Sequence, residues 1–130
     1  MSGKRTKHLK PTYLKRIPGD HRIRFYIDLK SKHPFMCISI YCKTYYGHEM
    51  TSHPSLYKDG SVKVRFIRFK VNPNPKDKRK SFYKKSITRI SGPFIGKINR
   101  LAKKKNWRIS KKDLKRLKNL DKKVIKNIKK

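Results

Sequence analysis

Residues 22–30 read Arg-Ile-Arg-Phe-Tyr-Ile-Asp-Leu-Lys. Ile23, Phe25, Ile27 and Leu29 fall on one side of an extended chain, and Arg22, Arg24, Tyr26, Asp28 and Lys30 on the other. This period of two predicts a half-buried β-strand, and a strand needs partners. After a turn at 31–34, residues 35–46 (Phe-Met-Cys-Ile-Ser-Ile-Tyr-Cys-Lys-Thr-Tyr-Tyr) form a second β-prone run. Residues 47–60 read as a loop, with Pro54 and Asp59-Gly60 as turn signals. Residues 61–71 predict a third strand whose alternation changes phase near Phe66 and Ile67, the mark of a bulge. The expected core is a small antiparallel three-stranded sheet across 21–71, about the minimum for independent stability.

The flanks read differently. Residues 1–20 predict a basic arm, punctuated by Pro11, Pro18 and Gly19. Residues 72–90 open with Asn72-Pro73-Asn74-Pro75 and predict a basic loop. Residues 91–130 predict a helical segment. Ser91-Gly92-Pro93 signals a helix start, and Phe94, Ile95, Ile98, Leu101 and Ala102 follow as a stripe. Ser110-Lys111-Lys112-Asp113 matches a capping box, with Leu114, Leu117, Leu120, Val124, Ile125 and Ile128 at helical spacing behind it. The predicted fold class is therefore α+β: a three-stranded sheet, then two C-terminal helices, with a basic N-terminal arm.

Charge dominates the chemistry. The 130 residues hold 39 Lys plus Arg against 7 Asp plus Glu, a formal net charge of +32. Basic charge lies on every segment, which suits a chain running through a field of phosphates; a membrane-surface protein concentrates it on one amphipathic face. No apolar run reaches spanning length, and the first ten residues resemble no secretory signal or transit peptide. Lys far exceeds Arg, Ile exceeds Val, Ala102 is the lone Ala and Gln is absent. That bias fits translation from an AT-rich genome such as an organelle's.

The expected RNA contacts are Lys4, Arg5 and Lys7 in the arm, and Arg22, Arg24, Arg65 and Arg68 on the strands. Lys78, Arg79 and Lys80 in the loop and Lys103, Lys104, Lys105, Arg108, Lys111 and Lys112 toward the C-terminus complete the set. Guanidinium forks clasp phosphate and aromatic planes stack bases. His33, Cys37, Cys42 and His48 hold the atoms of a zinc site, but Cys37 and Cys42 are five residues apart in a predicted strand and point to opposite faces. The two cysteines are read as small reduced core residues, and no cofactor is expected. Carboxylates are scarce, with Glu49 the lone Glu, and no P-loop or nucleophile elbow is present. An enzyme is not expected.

With a small basic β-rich core, a basic arm, a Lys/Arg loop and a basic helical end, the chain resembles ribosomal proteins as a class. That resemblance implies rRNA and neighbouring ribosomal proteins as partners, with no membrane and no small-molecule substrate. It also implies a place on a ribosome, organellar (mitochondrial) from the codon bias, without excluding a cytosolic one. The alternative is a nucleoid-associated or viral DNA-binding protein that uses the two C-terminal helices as a pair.

Overall fold

A computed structural model describes residues 6–9, 16–98 and 107–129 of the chain. It replaces the expected three-stranded sheet and two helices with eight strands and one α-helix of 10 residues among the described residues. The strands are β1 (Thr6–Leu9), β2 (Arg24–Asp28), β3 (Pro34–Tyr41), β4 (Thr44–Thr51), β5 (Phe66–Arg68), β6 (Phe82–Lys84), β7 (Ile87–Ser91) and β8 (Ile95–Lys97), and the helix is α1 (Lys111–Leu120). The main path runs β1-β7-β4-β3-β2-β8, and β6 pairs with both β4 and β5. Every pairing between these strands is antiparallel.

The stretch expected as a basic loop over 72–90 holds β6 and the start of β7, and the expected basic arm over 1–20 holds β1, because distant strands offer them edges to pair with. Three further corrections fall on the runs expected as strand or helix. The run expected as one strand over 35–46 is a hairpin. Cys42 and Lys43 take positive φ of 49° and 62°, so the chain reverses in two residues and Tyr41 pairs with Thr44. Such turns normally announce themselves with Asn-Gly or Asp-Gly, and here two ordinary residues bear the left-handed conformation. Residues 47–51 of the expected loop over 47–60 consequently belong to β4. Strand-length pairing over 61–71 shrinks to Phe66–Arg68, because residues 64–65 form a turn.

The third correction removes the first helix where it is described. Gly92–Phe94 is a single 3-10 turn with Pro93 in it, and Ile95–Lys97 is strand β8 on the open edge of β2. The stripe of Phe94 and Ile95 is real, but it packs on the sheet, where an unpaired edge offers ladder hydrogen bonds that compete with a helix. The remainder of that predicted helix, residues 99–106, lies outside the described residues. The second helix forms as expected at its start, where Ser110 accepts the Asp113 N–H at 3.2 Å. It stops at Asp121, whose carbonyl accepts from Val124 and Ile125 N–H at 3.0 Å each. Val124, Ile125 and Ile128 are buried as their spacing implied, yet in irregular backbone. That segment is tied to the sheet by Ile17 N–H to the Val124 carbonyl (2.7 Å) and by a parallel bridge between Arg22 and Lys129.

Both sheet faces bury apolar side chains. The larger core gathers Met36, Ile38, Met50, Phe69, Tyr83 and Ile87 under α1 and the C-terminal segment. The smaller one holds Phe35, Cys37 and Ile90, with Tyr26, Tyr45 and Phe94 packed around them. A bulge between Cys37 and Ser39 switches the phase of β3: Met36 and Ile38 face the larger core, whereas Ile40, also even-numbered, faces the smaller one. Gly47 sits opposite this bulge. A Cβ there would collide with the Met36 carbonyl oxygen and come within 2.8 Å of the Cys37 Cα. Gly47→Ala is therefore expected to cost about 3 kcal/mol in urea unfolding, at the upper end for overpacking because the obstacle is backbone. A loss under about 0.5 kcal/mol would show that the bulge relaxes freely.

Candidate nucleic-acid interface

Every Asp and Glu side chain is engaged within the fold. Asp28, Asp113 and Asp121 are buried. Asp28 accepts the Lys30 N–H at 2.9 Å and shapes the β2–β3 turn. Asp113 accepts from Lys70 N–H (2.9 Å), Val71 N–H (3.2 Å) and the Ser110 hydroxyl (2.8 Å), so it pins α1 to the chain leaving β5. The capping box predicted at Ser110 is thus half-formed, with its acid turned to another element.

Asp121 lies 2.6 Å from Nε2 of His48, and both side chains are sealed from solvent. On its other side the His48 ring meets the Lys84 carbonyl at 2.7 Å. That carbonyl is at the kink between β6 and β7, where Lys85 N–H turns away to the Arg65 carbonyl (2.8 Å). Burial alone pulls the His48 pKa down. The Asp121 carboxylate, with the Lys84 and Ser86 backbone, outweighs it, and the pKa stands above its ordinary 6.5.

The other four acids, Asp20 and Asp59 exposed and Glu49 and Asp77 half-buried, are occupied as well. Asp20 holds Arg24 at 2.9 Å and Arg22 at 4.0 Å, Glu49 holds Lys84 at 3.3 Å, and Asp59 accepts from Ser61. Asp77 grips Arg79 with two hydrogen bonds, 2.9 Å to Nη2 and 3.1 Å to Nε. That guanidinium and the Arg79 N–H hold the Asp77 carboxyl below the usual carboxylate range. These surface pairs are individually weak. Their consequence is bookkeeping of sign: the acids serve as internal acceptors, and most of the cations are left facing solvent.

The clearest convergence of cations is a cleft of about 380 Å³ between the chain leaving β5 and the loop before β6, lined by Arg68, Lys70, Lys78, Arg79 and Lys80. The loop is ordered by its own side chains. Asn72 Oδ1 accepts from Asn74 N–H (2.9 Å), Asn74 Oδ1 from Lys76 N–H (3.0 Å), and Asn72 Nδ2 donates to the Arg79 carbonyl (3.0 Å). These are the backbone-mimicking bonds that make Asn and Asp turn residues. The cleft brings together the expected Arg68, Lys78, Arg79 and Lys80 and adds Lys70, which a two-residue spacing from Arg68 would have suggested. A second basic surface is the outer face of α1, where Lys111, Lys112, Lys115 and Lys118 are exposed. Arg116 belongs to the fold, donating to the Arg68 carbonyl at 2.9 Å.

Other expected contacts are dispersed. Arg24 lies half-buried beside the smaller core with Nη1 enclosed, and it braces Asp20. Arg65 is exposed and bonds Ser55 at 3.1 Å, and Arg108 is exposed with its N–H on the Pro73 carbonyl (3.1 Å). Lys7 is in β1, in register with Arg89 of β7. Lys4, Arg5, Lys103, Lys104 and Lys105 lie outside the described residues. The four atoms-of-zinc residues are separated: Cys37 is in the smaller core, His48 is held by Asp121 in the larger one, and Cys42 and His33 are exposed. Burial pushes the Cys37 thiol up to about 12, so it is a packing residue. No helix among the described residues is long and apolar enough to cross a membrane.

No protein-family model, curated protein or solved structure matches this chain.

Proposed function

We propose that the protein is a structural, rRNA-binding component of a ribosome, without chemistry of its own, and that the ribosome is organellar (mitochondrial). The observation that carries this reading is the division of charge. The acids are consumed by internal hydrogen bonds and ion pairs, and the cations of a chain of net +32 face outward over much of the described surface, including five around one cleft. A surface of that sign repels itself, and a polyanion offsets the repulsion as it binds. Arginine and lysine on several faces suit a protein wedged among RNA helices, with neighbouring ribosomal proteins beside it. The DNA-binding alternative needs two adjacent helices as a reading pair, and residues 92–97 form a turn and a strand.

Sucrose-gradient sedimentation of native extract tests the proposal. The protein should co-migrate with one ribosomal subunit and leave it after RNase or high salt. Migration apart from ribosomes, or release by DNase alone, would refute it.

A further inference from the structure

The excursion between β4 and β5 ends in large apolar side chains that the fold leaves uncovered. Leu56 is 53% exposed, Tyr57 43% and Val64 69%. The tip is nonetheless built. Tyr57 N–H donates to the Ser61 carbonyl (2.8 Å), Gly60 N–H to the Tyr57 carbonyl (2.9 Å) and Lys63 N–H to the Ser55 carbonyl (3.0 Å). Leu56 and Val62 form a β-bridge, and Asp59 accepts both the N–H (2.9 Å) and the hydroxyl (2.6 Å) of Ser61. The Tyr57 hydroxyl accepts the Val64 N–H at 3.4 Å, which lays the ring along the returning strand. The Lys63 ammonium is 5.9 Å from that ring's centre, and Arg65 lies 5.4 Å from the Phe66 ring.

A preorganised apolar tip ringed by cations suits a partner that is flat, apolar and negatively charged at its margin. A nucleobase with its flanking phosphates has those properties. A basic neighbouring protein does not. We infer that Tyr57 stacks an unpaired base of RNA, with Leu56 and Val64 in contact beside it and Lys63 and Arg65 on the adjacent phosphates. The inference rests on the RNA-binding reading above and adds to it: charge supplies affinity for any RNA, whereas a base-stacking tip supplies an address, because splayed bases occur only at loops, bulges and ends.

The full-length protein is titrated by fluorescence anisotropy against two RNAs of equal phosphate number, one fully paired and one with an unpaired loop carrying 2-aminopurine. The looped RNA should bind about ten-fold tighter, within the usual worth of one stacked base. Tyr57→Ala should abolish that preference and the accompanying 2-aminopurine quenching, while Tyr57→Phe retains both. The substituted side chain is exposed, so matched thermal unfolding curves establish that the variants are folded. Equal affinity of the wild type for both RNAs, or a preference that survives Tyr57→Ala, overturns the inference and leaves the charge-based reading standing. Failure to bind either RNA overturns both. Loss of subunit proteins from Tyr57→Ala particles with RNA preference intact also overturns it, marking the tip as a protein contact.

Discussion

Asp121→Ala is expected to destabilise the protein by about 3–5 kcal/mol, the usual cost of stranding one member of a buried ionic pair. His48 then keeps the Lys84 carbonyl and loses the carboxylate 2.6 Å from Nε2, in a place where both side chains are fully buried. Against a typical stability of about 5–15 kcal/mol, this loss could unfold much of the population, and urea unfolding followed by circular dichroism measures it. The pair also couples α1 to β4, so far-ultraviolet and Trp107 signals should fall together. Both partners of the ring, a carbonyl and a carboxylate, are acceptors, so the arrangement favours an imidazole with both nitrogens protonated. The folded pKa of His48 is raised above 6.5. Its stabilisation is therefore complete below about pH 6.5 and is lost as pH climbs through the raised value. In Asp121→Asn the carboxamide hydrogen-bonds a neutral ring, and this part of the pH profile should flatten. A cost of Asp121→Ala below about 1 kcal/mol would mean that the pair is not sealed.

Replacing Arg68, Lys70, Lys78 and Lys80 together by Ala is expected to weaken binding to native rRNA by roughly a hundred- to a thousand-fold at physiological salt. Each phosphate contact adds about 0.7–0.9 to the slope of log affinity against log salt, so the slope should shallow by about three. Arg79 is left in place because Asp77 already holds its guanidinium. The control removes four exposed lysines elsewhere, Lys30, Lys32, Lys43 and Lys58, for the same change in net charge. A cleft that seats RNA makes the first variant far the weaker binder. Equal losses would show that the cations act as a diffuse atmosphere and that the cleft holds nothing in particular. Folding of the first variant is preserved, since Lys70 contributes its backbone N–H, not its side chain, to Asp113.

The two tests separate what the polar interior does from what the basic surface does, and the same division explains what was readable in advance. Burial was legible in part where it followed a period, although Leu29 of the apolar set in 22–30 is exposed and Asp28 of its polar set is buried. Ile23 and Phe25 face the larger core as their alternation implied, and Leu114, Leu117, Val124, Ile125 and Ile128 turn inward as their spacing implied. The cap at Ser110 was legible because it is a local bond. The backbone of 121–129 was not, since the same apolar spacing serves a helix or an irregular strap and only contacts with Ile17 and Arg22 choose between them. Nor was the hairpin at Cys42–Lys43, whose residues carry no turn signal. His48 and Glu49 read as polar loop, yet they stand on alternate faces of β4, because a buried histidine is tolerable once Asp121 meets it from 73 residues away.

By itself, then, the sequence determined composition-borne and local properties: a chain of +32, a set of apolar faces, one capped helix and a surplus of cations for phosphate. Those follow from residue type and short spacing alone. Tertiary structure decided the number and order of strands, the fate of the seven acids, and which cations share a cleft. Each of these depends on pairings between distant segments, where an unpaired edge, a bulge or a buried carboxylate selects one backbone from several that the local pattern allows equally.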